Sequence, residues 1–115
     1  MSSENLLFNL SDSLVEKIYK VTLTYHYTHQ SSIGDQLRRA SLSVVLNIVE
    51  GGAKLTLKER RQYLRTAYSS LKESKYLLYF SNKMNLIPKE KYEEIMKEVN
   101  RLASLLYGLL FKQKS

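Results

Sequence analysis

The sequence predicts an all-α fold, an antiparallel up-down four-helix bundle, from three observations. Glycine and proline are scarce, at four and one in 115 residues, which argues against a sheet built on tight turns. Four segments repeat their apolar residues every three or four positions, as amphipathic helices do. The segments between them are short, which favours antiparallel neighbouring helices. At this length we expect a single domain over residues 1–115.

The first helix is predicted over residues 11–27. Ser13 and Glu16 have the spacing of a capping box, in which each side chain satisfies a free backbone N–H at the start of a helix. The apolar positions share one face of this helix: Leu14, Ile18, Val21 and Tyr25.

The second helix is predicted over residues 33–50, ending where Gly51 and Gly52 are able to adopt a left-handed turn. Its first apolar stripe comprises Leu37, Ala40, Val44 and Ile48. Four further apolar residues extend around most of the remaining circumference: Leu42, Val45, Leu46 and Val49. A helix that is apolar nearly all round is buried nearly all round. Because so small a subunit cannot supply that cover, the sequence predicts a homo-oligomer.

The third and fourth helices are predicted over residues 56–81 and 88–111. Thr56 and Glu59 form a second capping box, and Pro88 suits a first helical turn because its missing N–H has no partner there. The core positions of the third helix are Leu64, Ala67, Leu71, Ser74 and Leu78. Those of the fourth helix are Tyr92, Ile95, Val99, Leu102, Leu106 and Leu109.

Positive charge is concentrated in the middle of the chain. The net charge is +7, and residues 51–79 alone carry seven basic and two acidic groups. A row of basic and aromatic residues follows one face of the third helix: Arg61, Arg65, Tyr68, Lys72, Lys75 and Tyr79. Lys54 and Lys58 extend it into the preceding loop. This pattern predicts binding of RNA or DNA through phosphate neutralisation and base stacking. The alternative is a solvated face whose tyrosines pack against a neighbouring subunit.

A polar seam crosses the second helix at spacings of three and four: Gln36, Arg39, Ser43, Asn47 and Glu50. It has two interpretations. In the first, Arg38 and Arg39 contact nucleic acid. In the second, the seam forms a hydrogen-bonded network within the bundle or between subunits. The second is favoured, with Arg39 paired to Glu50 or Glu73 if it is buried, and Asn47 fixing the register of the contact.

Catalytic, metal and membrane functions find no support in the sequence. There is no cysteine, and His26 and His29 have no carboxylate cluster beside them. The most apolar stretch, residues 102–111, is about half the length that spans a bilayer, and the N-terminus does not resemble a secretory signal. We therefore expect a cytoplasmic protein that is not an enzyme and that has no cofactor, metal or membrane partner.

Two blocks of the sequence resemble the 23S rRNA intervening-sequence proteins, which are four-helix-bundle proteins. The first block comprises Gln36-Leu37-Arg38-Arg39-Ala40, Ser43 and Asn47-Ile48-Val49-Glu50-Gly51. The second comprises Tyr63-Leu64-Arg65, Ala67, Ser69-Ser70-Leu71 and Glu73. Three positions depart from the family pattern: Val45 replaces a common proline, Val49 an alanine and Ser69 a glycine.

This resemblance implies a ring-like homo-oligomer, usually of five subunits, without enzymatic activity and with an origin in reading frames inside rRNA genes. A group of similar architecture, the accessory proteins of diversity-generating retroelements, works with a reverse transcriptase and nucleic acid. The expected function is therefore binding of RNA or DNA by a homopentamer. The alternative is a protein-interaction scaffold that docks a partner such as a reverse transcriptase.

Overall fold

The computed structural model describes residues 3–112 and confirms the all-α four-helix bundle. The four long helices are α1 (Ser3–Thr22), α2 (Asp35–Gly52), α3 (Leu57–Lys83) and α4 (Lys89–Tyr107). A single α-helical turn (Tyr27–His29) and a π-helical segment (Gln30–Gly34) precede α2, and a second π-helical segment (Gly108–Lys112) follows α4. Residues 3–112 contain no strand.

The helices form an elongated bundle of about 46 × 22 × 21 Å. Each helix packs against its neighbours in the chain, and α1 also packs against α4. The largest fully buried side chains come from all four helices: Leu14, Ile18, Leu37, Val44, Leu71, Leu78, Ile95, Val99, Leu102 and Leu106. The predicted core stripes therefore meet in one core. No helix in the described part of the chain is both long and apolar enough to cross a membrane.

The first helix begins eight residues earlier than predicted. Leu7 is buried in the core, and the buried Ser11 donates its hydroxyl to the Phe8 carbonyl oxygen at 3.1 Å. Ser13 is therefore inside α1 rather than at its start, and its hydroxyl points toward Glu98. Burial of Leu7 one turn before Ser11 extends the helix, because packing of an apolar face outweighs a local capping signal.

The same helix ends at Thr22, five residues before the predicted end. The Thr22 and Thr24 hydroxyls donate to the carbonyl oxygens of Ile18 and Val21, at 2.8 and 2.6 Å. Gln30 Nε2 then donates to the carbonyl oxygens of residues 23 and 25. The Thr24 and Gln30 side chains thus satisfy the carbonyl oxygens of residues 21, 23 and 25, which a further helical turn would have used, so the chain leaves the helix. Tyr25 remains buried, although it lies outside α1.

Gly51 and Gly52 do not form the predicted left-handed turn. Both are helical residues of α2, and none of the described glycines has a positive φ. Gly51 is buried where α2 meets α3, and a Cβ there would lie 3.1 Å from Tyr63 Cβ. The glycine therefore permits close approach of two helices rather than an unusual backbone conformation.

The start of α3 confirms the predicted cap. The Glu59 N–H donates to Thr56 Oγ1 at 3.2 Å, and the Thr56 hydroxyl donates to the Glu59 carboxylate at 2.8 Å. At the other end, Asn85 adopts φ 59°, a left-handed conformation that turns the chain toward α4. Pro88 is the residue immediately before α4.

Three of the described titratable groups have shifted pKa values, all outside the basic region. The pKa of Glu16 is lowered chiefly by its hydrogen bond with Lys20. The pKa of Lys17 is raised chiefly by its hydrogen bond to Glu98, which with Glu94 links α1 to α4. Burial raises the pKa of Tyr25, whose hydroxyl is buried without a hydrogen-bond partner among the described residues. Lys17 and Tyr25 fasten the bundle, and neither lies on the basic face.

Candidate nucleic-acid interface

Four of the basic residues of α3 form a row beside the flank of the helix that faces α4. We call Arg61, Arg65, Lys72 and Lys75 the basic row. Arg65 and Lys72 are exposed, and Arg61 and Lys75 are half-buried. The spacings of four, seven and three residues keep all four within a narrow arc of the helix, beside the arc that carries Leu64, Leu71 and Leu78 to the core. The row is therefore held in place by the burial of its neighbours.

The carboxyl-terminal part of the basic row lines a groove between α3 and α4, with a volume of about 370 Å³. We call it the α3–α4 groove, and its lining residues are Tyr68, Lys72, Lys75, Asn100, Ala103, Ser104 and Tyr107. The groove is a shallow depression open to solvent rather than an enclosed cavity. The groove combines two ammonium groups, an amide, a hydroxyl and aromatic rings, a set suited to an anionic ligand with a planar group.

Tyr68, the predicted stacking residue, is part of the structure of the groove. Its ring lies 6.3 Å from the Tyr107 ring and 6.0 Å from the Phe111 ring, and Lys72 Nζ lies 5.4 Å from its centroid. It is half-buried against the core. Because a lysine and two aromatic rings surround Tyr68, the more accessible ring of the groove is Tyr107, which is 44% exposed.

Arg61 belongs to the basic row but also makes a structural contact. One guanidinium nitrogen donates to the Leu110 carbonyl oxygen at 2.5 Å. That oxygen lies in the π-helical segment after α4, where a wider backbone spiral changes the helical hydrogen bonding. Arg61 therefore connects α3 to the π-helical segment after α4. Its charge is less available to a ligand than that of Arg65.

The structure separates Lys54 from the basic row. Its ammonium lies 5.2 Å from the Tyr63 ring centroid and 3.9 Å from the Glu50 carboxylate. Tyr63 follows Arg61 by two residues, so it lies about 200° around α3, on the flank toward α2. Lys58 is exposed in the first turn of α3. Lys54 therefore does not extend the basic row, whereas Lys58 lies in α3 rather than in the preceding loop and stays a predicted contact.

Four groove residues, all on α4, are absent from the sequence-based site: Asn100, Ala103, Ser104 and Tyr107. Their positions beside the apolar stripe of α4 were readable from the sequence. Which neighbouring helix that side of α4 meets was not, because periodicity places a residue on its own helix only.

The polar seam of α2 joins helices within one subunit. The Ser43 and Ser70 hydroxyls are hydrogen-bonded at 2.8 Å, across the contact between α2 and α3. Asn47 Nδ2 donates to the Ser43 carbonyl oxygen at 2.8 Å and approaches Ser43 Oγ at 3.2 Å. Ser43, Asn47 and Ser70 therefore form a hydrogen-bonded network inside the bundle.

The two adjacent arginines have different roles. Arg38 is half-buried, and its guanidinium donates to Thr22 Oγ1 at 2.8 Å and to the Gln30 carbonyl oxygen at 2.7 Å. The side chain of Arg39 is 81% exposed and pairs with Asp35 at 3.2 Å. The expected pairing of Arg39 with Glu50 or Glu73 is therefore wrong. Those two carboxylates are exposed, and the nearby Lys54 is the ion-pair partner of Glu50.

We expect Arg38→Ala to lower the free energy of unfolding by about 2–3 kcal/mol. Two charge-assisted hydrogen bonds are lost, and the buried Thr22 hydroxyl oxygen no longer accepts a bond from Arg38. Arg39→Ala is the matched control, and its exposed pair with Asp35 predicts a change below about 0.5 kcal/mol. Urea unfolding followed by circular dichroism, at one subunit concentration, measures both. Equal losses for the two variants would contradict the structural role of Arg38.

An exposed apolar surface covers α1 and α2 on the side away from α3 and α4. We call Phe8, Tyr19, Leu42, Leu46 and Val49 the α1–α2 face. Leu42, Leu46 and Val49 are 38%, 54% and 50% exposed. Val45 differs from the prediction, because it turns inward and is only 9% exposed. The cation–π contact of Arg38 with the Tyr19 ring, at 5.9 Å, places Tyr19 beside α2.

Residues 3–112 contain no cluster of three or more histidine, cysteine, aspartate or glutamate side chains that could hold a metal ion. His26 has a local role, since its Nδ1 lies 2.9 Å from the Thr28 hydroxyl and accepts a long bond from the Thr28 N–H. This side chain caps the single helical turn that follows α1.

Comparisons with known proteins agree with this architecture. A family model described as 23S rRNA-intervening sequence protein matches residues 3–108. Among solved structures, the chain is similar to a protein with unknown function from the S23 ribosomal protein family of Bacteroides thetaiotaomicron VPI-5482. That match has a TM-score of 0.81 at 20% identity and covers 95% of this chain and 98% of that chain. At this identity the similarity supports the fold. No curated protein sequence matches the chain.

Proposed function

Because the chain belongs to the 23S rRNA-intervening sequence protein family, as its two sequence blocks predicted, we propose that it acts by binding RNA or DNA as a homo-oligomer. The basic row and the α3–α4 groove provide the contact. Arg65, Lys72 and Lys75 neutralise phosphates, and the protein performs no catalysis. Phosphate contacts dominate such binding, with little reading of base sequence.

One observation carries this proposal. Lys72 and Lys75 from α3 line a single groove with Asn100, Ser104 and Tyr107 from α4. A merely solvated basic face does not require aromatic and amide groups from a second helix beside its cations. The described ion pairs place no carboxylate on Arg65, Lys72 or Lys75. Their charges are therefore available to an external anion.

Self-association through the α1–α2 face is the second part of the proposal. Because the helices pack in chain order around the core, α1 and α2 lie opposite the α3–α4 groove. Contact through Leu42, Leu46 and Val49 therefore leaves every groove open on the outside of the assembly. Several grooves on one assembly give weak individual contacts a high combined affinity.

A ring also requires two different surfaces on each subunit, because a self-complementary contact closes a dimer instead. A recess of about 320 Å³ lies between α1 and α4. Val21, Pro88 and Ile95 supply its apolar surface, and the charged residues at it are Lys17, Lys20, Lys91 and Glu94. The recess is a suitable acceptor for the α1–α2 face of the next subunit. We propose that five subunits close the ring, giving five times the subunit mass of 13.4 kDa.

The alternative function is a scaffold that docks a protein partner such as a reverse transcriptase. The observation that favours it is a cluster of aromatic rings at the end of α3. Tyr76 lies 6.1 Å from Tyr79 and 6.3 Å from Phe80, and both tyrosines are exposed. Exposed aromatic side chains are enriched at protein interfaces.

Titration of a short fluorescein-labelled RNA, followed by anisotropy between about 0.05 and 0.2 M salt, tests the proposal. We expect log K to fall against log salt with a slope of about −2 or steeper, since three cations each contribute about 0.7 on a single strand. The subunit number is measured on the same sample by light scattering. No anisotropy change at the lowest salt, for RNA or the equivalent DNA, would leave the scaffold as the better account.

A further inference from the structure

We propose that the α3–α4 groove holds an unpaired nucleotide, with its phosphate at Lys72 and Lys75 and its base against the Tyr107 ring. This inference rests on the proposed function and names its ligand: single-stranded rather than duplex nucleic acid. The combination on which it depends is an accessible aromatic ring at one wall of a groove and two ammonium groups at the other.

The groove has room for a planar group as well as an anion. Its volume is about 370 Å³, and Ala103 contributes only a methyl group to its wall between the two helices. Asn100 and Ser104 are exposed at the edge, one turn of α4 apart, and supply donors and acceptors for the edge of a base. A phosphate alone requires no aromatic wall and no amide.

The position of Lys72 assigns different roles to the two tyrosines. Its ammonium lies 5.4 Å from the Tyr68 centroid, so Tyr68 orients the cation that meets the phosphate. Tyr107 is in contact with Tyr68 and Phe111 at ring distances of 6.3 and 4.8 Å, which fix its orientation at the groove. An aromatic ring held by its neighbours provides a stacking surface at a low cost in side-chain entropy.

An unpaired nucleotide satisfies this arrangement better than a duplex. In a duplex both faces of each base are covered by the adjacent bases, and only backbone and groove edges are accessible. A base can reach Tyr107 only after leaving that stack. Single strands present every base to an aromatic surface, and such stacking depends little on sequence. Duplex nucleic acid therefore contacts this site only through its phosphates, at Arg65, Lys72 and Lys75.

Charge also sets where the strand continues. A second hollow shares Asn100 with the groove, and its other lining residues are Tyr92, Glu93, Met96 and Lys97. The Glu93 carboxylate and the Lys97 ammonium offset each other there, so that end offers no net attraction for phosphate. Arg65 lies at the other end, two turns of α3 before Lys72. The backbone of the strand therefore extends from the groove toward Arg65, along the basic row.

The test compares a single-stranded oligouridine with a blunt RNA duplex, for the full chain and for Tyr107→Leu. Leucine retains an apolar contact with Tyr68 and Phe111 but removes the stacking ring. We expect Tyr107→Leu to weaken single-strand binding about tenfold, equivalent to about 1.4 kcal/mol, and to leave duplex binding unchanged. Tyr27→Leu is the control, because Tyr27 is 76% exposed in the helical turn after α1 and does not line the groove.

The outcomes separate this inference from the function on which it rests. If the full chain binds strand and duplex equally, and Tyr107→Leu changes neither affinity, the nucleotide site is wrong while binding by the basic row stands. If the full chain binds neither at low salt, both fail. Ser104→Met is the second variant, for the case in which Tyr107→Leu misfolds. Ser104 is an exposed groove residue, so the larger methionine side chain obstructs the groove without changing the core. Selective loss of single-strand binding supports the site, and unchanged binding overturns it.

Discussion

Charge reversal of Arg65, Lys72 and Lys75 together is expected to weaken RNA binding by at least about 100-fold at 0.1 M salt. Each single-strand phosphate contact adds about 0.7 to the slope of log K against log salt. Relative to about 1 M salt, three contacts therefore account for about two log units of affinity at 0.1 M. The glutamates add repulsion to that loss. Anisotropy measured across a salt series should also show the slope become shallower by about 2.

These three residues are preferred to a set containing Arg61, whose bond to the Leu110 carbonyl makes charge reversal structurally disruptive. The matched control reverses Lys83, Lys89 and Arg101, which are exposed and line neither the α3–α4 groove nor the recess between α1 and α4. Both variants change the net charge equally. RNA affinity lost to the same extent in both would show that total charge, rather than the basic row, governs binding.

Leu46→Glu is expected to convert the oligomer completely to a monomer of 13.4 kDa. The residue lies at the centre of the exposed turns of α2, between Leu42 and Val49. An unpaired carboxylate buried in an apolar contact costs several kcal/mol, and a ring repeats that cost at every interface. Light scattering measures the mass, and circular dichroism should show unchanged helicity because the side chain is outside the core.

The control for this variant is Met84→Glu, at an apolar residue of nearly equal exposure: 52% for Met84 and 54% for Leu46. Met84 is in the turn after α3, away from the α1–α2 face. A fully assembled Leu46→Glu protein would remove the α1–α2 face from the interface. The Leu46→Glu monomer should also bind RNA more weakly than the oligomer, because it presents one groove instead of several.

Most of the fold was readable from the sequence because apolar periodicity records burial on each helix. Ile95, Val99, Leu102 and Leu106 were assigned to the core of α4, and all four are buried. The errors lie at the helix ends, where side-chain hydrogen bonds and packing compete. Ser13 carried a capping signal that the burial of Leu7 overrode, and Gly51 served helix packing rather than a turn.

Only part of the candidate site could be predicted from the sequence. Lys72 and Lys75 were identified from their spacing on α3, whereas Asn100, Ser104 and Tyr107 were missed. No local pattern distinguishes these α4 residues from other polar or aromatic residues beside an apolar stripe.

The sequence by itself determined the four helices, the face of each that is buried, the excess of apolar surface on α2 and the concentration of positive charge on α3. Only the tertiary structure decided that the basic row lies against α4, that Arg38 rather than Arg39 is the structural arginine, and that Tyr107 is the accessible ring. The physical reason is that helical periodicity fixes an angle around one axis. Which neighbour occupies that angle depends on how the four axes pack, and that choice is made by contacts between residues far apart in the chain.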